Sequence, residues 1–92
     1  MKGHEVLLSE TARRQLRRLP VDVSDRIKRA LAELAGDLFR SRPKADIKRL
    51  KGPRRDYFRL RMGDYRAIYV VDGDRVLVAR ILPRSKAYEW LD

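Results

Sequence analysis

An α+β fold is what this sequence predicts: an N-terminal strand and a helical hairpin packed on a mostly antiparallel four-stranded sheet, in the order β-α-α-β-β-β. Three observations carry that prediction. Ile27, Leu31, Leu34 and Leu38 recur at i, i+4, i+7 and i+11, the stripe of an amphipathic helix. Residues 57–62 alternate between apolar and polar, and Gly63-Asp64 joins them to Tyr65–Val71, rich in aromatic and β-branched residues, the pattern of a tight hairpin. A second turn signal, Asp72-Gly73-Asp74, leads into the strand-like tract RVLVARIL. Helices followed by strands make a two-layer domain, with one sheet face covered and the other open.

Taken in order, Glu5–Leu8 ends in an apolar pair and suits a first strand. Ser9 is a good helix N-cap, and Glu10 complements the positive end of the helix dipole. ETARRQLRRL then places Ala12, Leu16 and Leu19 at helical spacing, up to Pro20. The second helix takes Ser24 or Asp22 as its cap and runs to near Phe39, because Pro43 biases Arg42 out of the helical region. Residues 40–56, with Pro43 and Gly52-Pro53, read as irregular, with room for a short strand or turn. In the hairpin, Phe58, Leu60 and Met62 share one face, and Tyr57, Arg59 and Arg61 the other. The tail from Pro83 suits a short turn or helix.

Composition narrows the function. A chain of 92 residues makes one domain with one modest core, here 1–92. A net charge of +10 on so small a domain favours a polyanionic partner. No run of ~18 apolar residues and no secretory pattern occurs, so the expectation is a soluble, cytoplasmic protein. With no cysteine and a single histidine, His4, neither a metal site nor ordinary histidine acid–base catalysis is expected. The helix-one arginines, Arg13, Arg14, Arg17 and Arg18, read as a solvated face. The hairpin arginines differ in being carried on strands, which hold a side chain better than a loop does. Arg66, between Tyr65 and Ala67-Ile68-Tyr69, needs either an open cleft or a carboxylate such as Asp56 or Asp64.

The tracts RLKG at Arg49–Gly52, YFRLRMGDYRAIY at 57–69 and ILPRSKAYEW at 81–90 resemble the RelE/ParE toxin superfamily. The resemblance extends over essentially the whole chain, and the Gly-Asp-Tyr-Arg turn is its most specific part. It implies a helical hairpin on a four-stranded antiparallel sheet. In the RelE branch it implies a toxin that cuts mRNA in the A site of the 70S ribosome, without metal or cofactor, and is silenced by an acidic antitoxin. The ParE branch inhibits DNA gyrase instead, and a non-catalytic RNA-binding relative is a further alternative. By resemblance, Arg59, Arg66, Arg84 and Tyr88 fall on catalytic positions. Around them Lys48, Lys51, Arg54, Arg55, Arg61 and Lys86 are the candidate RNA contacts. The family archetype has lysines where this chain has Tyr57 and Arg59. Arginine stays protonated and is a poor base, so the general base is left open among Lys48, Lys51, Tyr57 and no side chain at all.

Overall fold

The computed structural model describes residues 5–36, 46–51 and 56–87. Its elements are β1 (Glu5–Leu8), α1 (Glu10–Arg17), α2 (Val21–Gly36), β2 (Asp46–Leu50), β3 (Tyr57–Met62), β4 (Tyr65–Asp72), β5 (Arg75–Pro83) and the one-turn α3 (Arg84–Ala87). The strands form a single sheet in the order β1-β5-β4-β3-β2. Every pairing is antiparallel except that of β1 with β5, which is parallel. The sheet thus has five strands where the sequence predicts four. The addition is β2, which lies in the stretch read as irregular and pairs along its whole length with β3. Its strand state comes from that partner rather than from local pattern.

Local chemistry explains the two hairpin turns. Gly63 and Gly73 have φ of 63° and 61°, and no other described residue has a positive φ. Glycine at the first loop position followed by an ordinary Asp64 or Asp74 is the signature of a type II′ turn, whose twist matches the flanking strands. In α1, the Ser9 Oγ accepts from the Ala12 N–H at 3.0 Å, as an N-cap should. Helix α2 differs from expectation. It starts at Val21, and the Ser24 N–H donates to the Pro20 carbonyl at 2.9 Å, so Ser24 and Asp22 lie inside the first turn. A tight link, with the Leu19 N–H on the Leu16 carbonyl, starts the second helix early. Its expected end near Phe39 lies outside the described residues.

Ala12, Leu16, Ile27, Leu31 and Leu34 put the helical stripes against one sheet face. Leu60, Ala67, Tyr69, Val76, Val78 and Ile81 receive them. Tyr69 is 0% exposed and stacks on Phe58, with ring centres 5.4 Å apart. Burial pushes its phenol far above the ordinary tyrosine pKa. The folded state therefore holds this proton more tightly than the unfolded chain does. Stability is fully present below about pH 10, the unfolded value, and is lost above it with a slope of up to about 1.4 kcal/mol per pH unit. Urea unfolding across that range checks this, and Tyr69→Phe is expected to flatten the decline.

The pairing of β4 with β5 carries a register shift. Ile68 pairs with Arg80 and Tyr69 with Val78, which leaves Ala79 as the extra residue of a β-bulge. Helix α1 engages the backbone on both sides. Ser9 Oγ donates to the Ala79 carbonyl at 2.6 Å, and the Ile81 N–H donates to Gln15 Oε1 at 2.7 Å. Before the bulge Val76 and Val78 face the helices, and after it Ile81 does.

Candidate functional site

Leu60 and its partner Ala67 lie in the core, so Arg59 and Arg61 stand on the opposite face of β3. Register then defines who shares that outer face. Lys48 is opposite Arg59, and Arg61 is opposite Arg66. Two directly facing pairs are therefore cation on cation, an arrangement that is destabilising by itself. Arg61 and Lys48 are exposed, whereas Arg59 and Arg66 are half-buried. Arg59 Nε is buried and has no hydrogen-bond partner among the described residues. A buried donor left without a partner costs free energy.

Arg66 is held in a definite place. Its Nη1 donates to the Gly63 carbonyl at 2.7 Å and to the Tyr65 carbonyl at 2.9 Å. Asp56, one of the carboxylates the sequence offers it, is engaged by Arg49, whose Nε donates to Oδ2 at 2.6 Å. Arg84 reaches the same turn through its backbone, with its N–H on the Asp64 carbonyl at 2.8 Å. Two residues 18 positions apart in sequence thus meet adjacent carbonyls of one two-residue loop. Arg66 anchors there by its guanidinium, and Arg84 by its backbone, leaving its side chain exposed.

The fold therefore gathers Lys48, Arg59, Arg61 and Arg66 on one face, with Arg84 at its β3–β4 end. Lys51 is exposed just beyond β2, and Lys86 is exposed on α3. Tyr57, a candidate base, shares the outer face opposite Leu50 and is half-buried. Tyr88, Arg54 and Arg55 lie outside the described residues. Arg80 is a member of this face that the sequence pattern misses. Strict alternation from Val76 and Val78 sends Arg80 into the core, whereas the Ala79 bulge brings it to the outer face opposite Ile68. The available signal was a charged residue at a core-parity position in an otherwise apolar strand, which argues for a bulge.

A helical hairpin on one side of an antiparallel sheet, with an arginine-rich outer face ending at a Gly-Asp-Tyr-Arg turn, defines a toxin of the RelE/ParE superfamily. Comparison with known proteins bears this out. The chain belongs to the family of ParE toxins of type II toxin–antitoxin systems, whose model matches residues 6–88. It is 33% identical over 86 residues to Toxin RelE3 of Methanocaldococcus jannaschii, covering 94% of this chain and 97% of that one. Among solved structures, the archaeal RelE–RelB complex from Pyrococcus horikoshii contains a chain 26% identical, with a TM-score of 0.78 over 91% of this chain and 98% of that one. The RelB–RelE antitoxin–toxin complex from Methanococcus jannaschii gives 30% identity and a TM-score of 0.68, covering 94% and 99%. Among the described residues, no helix is long and apolar enough to cross a membrane.

Proposed function

We propose that this protein is a ribosome-dependent endoribonuclease that cuts mRNA in the A site through attack of the 2′-hydroxyl on the adjacent phosphate. The observation that carries the proposal is the meeting of Arg66 and Arg84 at one turn, at the end of a face built from paired cations. In the reaction the 2′-oxygen bonds to phosphorus and its proton passes to a base. The bond to the 5′-oxygen breaks, and that oxygen takes up a proton. The products are a 2′,3′-cyclic phosphate and a 5′-hydroxyl. Arg66, already oriented by two carbonyls, turns its planar fork to the phosphorane oxygens, whose geometry it matches. Arg84 stabilises charge at the leaving oxygen, Arg59 binds the neighbouring phosphate, and Tyr88 stacks on a base or assists proton transfer. Tyr57 is the outer-face candidate for the base, with Lys48 left as a cation beside Arg59. Charge stabilisation by arginines gives the protein a route that needs no metal. The ribosome supplies the substrate geometry that so sparse a set of acid–base groups leaves to it.

The two solved structures described above are complexes with RelB antitoxins. By extension, an acidic antitoxin lays a helix or strand on the basic outer face and silences this chain. Both the toxin and its substrate act in the cytoplasm. Primer extension on an mRNA translated in a purified system tests the proposal. Cuts within A-site codons are expected with the wild type, and intact message at toxin concentrations that stall translation overturns it.

A second reading has its own support. Helices α1 and α2 enclose a groove of about 360 Å³ floored by Leu8, Leu16 and Leu19, with Arg13 and Arg17 along it and Val21 76% exposed at its edge. Such a surface suits protein docking, and the family model carries the ParE name. Gyrase inhibition is the activity it predicts, read as lost supercoiling without new RNA ends.

A further inference from the structure

The Ala79 bulge puts Arg80 on the face used by the proposed ribonuclease, in one cross-strand row with two other cations. Lys48 pairs with Arg59, Arg59 with Ile68, and Ile68 with Arg80. Ile68 is 0% exposed between the two half-buried arginines. Neighbouring strands lie ~4.8 Å apart, so Arg59 and Arg80 start ~10 Å apart, within joint reach of one phosphate above Ile68. The next row, two residues along the strands and so ~6.8 Å away, holds Arg61 and Arg66.

We infer that Lys48, Arg59 and Arg80 form a second phosphate subsite, which binds an RNA backbone phosphate next to the one that Arg66 engages. The inference rests on the reading of the outer face as an RNA surface. Two further observations support it. Arg59 Nε is buried without a partner among the described residues, so turning the guanidinium out to an anion removes an unsatisfied donor, and the facing Lys48–Arg59 pair is a like-charge contact that an anion relieves. The bulge is also firmly held. Ser9 and Gln15, 70 and 66 positions from their partners, bind the backbone on either side of Arg80. Helix α1 thereby fixes which way Arg80 points, and Ser9 and Gln15 are positioning residues for the subsite.

A short single-stranded RNA carrying 2′-O-methyl groups cannot undergo 2′-oxygen attack, so it reports binding apart from cleavage. Its affinity is measured by fluorescence anisotropy over a salt series for the wild type, Arg80→Ala, Arg80→Lys and Arg29→Ala, the last an exposed arginine on α2. Arg80→Ala is expected to bind several-fold more weakly and to lower the slope of log K against log salt by about 0.7, the single-strand value for one phosphate. Arg80→Lys should keep the slope, and Arg29→Ala should match the wild type. Should Arg80→Ala fail to fold, Arg80→Gln keeps the stem without the charge and takes its place. Wild-type binding and slope in the charge-free variant overturn the subsite. So does an equal drop in Arg29→Ala, which would mark diffuse attraction, or no binding by the wild type. An Arg80-dependent slope beside uncut message in translation removes the ribonuclease reading and leaves the subsite standing.

Discussion

Arg66→Ala is expected to lower the rate of A-site cleavage by about 10²- to 10³-fold, the usual consequence of losing one preorganised donor to a developing oxyanion. Placement accounts for the size of the effect. Two carbonyls hold one end of the guanidinium, so its orientation is set before substrate arrives and little reorganisation is left for the reaction. Arg66→Lys keeps the charge but replaces the fork with a single ammonium. It should therefore recover only part of the rate, with the larger loss in the chemical step rather than in binding. Single-turnover cleavage on programmed ribosomes separates the two. Equal rates for wild type and Arg66→Ala would remove Arg66 from the mechanism. Thermal melts serve as a control, since the side chain lies on the outer face and outside the apolar core.

The largest effect on stability is expected from Leu60→Ala, at about 2–5 kcal/mol. Leu60 is 2% exposed on the central part of the sheet, between Ile47 of β2 and Ala67 of β4. Neither neighbour can fill the space by rotation, because alanine has no freedom to offer and isoleucine is stiff at its first torsion. A domain of this size has ~5–15 kcal/mol in hand, so the change removes a large share of it. Urea unfolding should show a lower midpoint with an unchanged slope. The strand matters for the proposed site as well, because Leu60 is the inward residue between Arg59 and Arg61, which stand on the outer face. A loss below ~1 kcal/mol would mean that the core repacks around the site, contrary to close packing.

These two residues differ in how far the sequence reveals them. Leu60, like Leu31 or Val76, is evident from period alone, since a face that repeats every two or 3.6 residues names its own core. Arg66 was evident as a charge among apolar neighbours, but not its anchorage, because the Gly63 and Tyr65 carbonyls become its partners only once the turn is made. Arg80 was not legible as an outer-face residue at all. The alternation of β5 points it inward, and only an inserted Ala79 reverses that.

By itself the sequence determined the helical stripes, the Ser9 cap, both glycine turns and the two faces of the hairpin. Each depends on residues within a few positions of one another, where steric limits on φ and the side-chain period are enough. Tertiary structure decided the parallel docking of β1, the strand state of β2, the meeting of Arg66 with Arg84, and the outward turn of Arg80. Each of those depends on groups far apart in sequence, as with Ser9 and Ala79 at a separation of 70. Local periodicity carries no record of such partners, since a backbone group acquires them only when the chain has closed on itself.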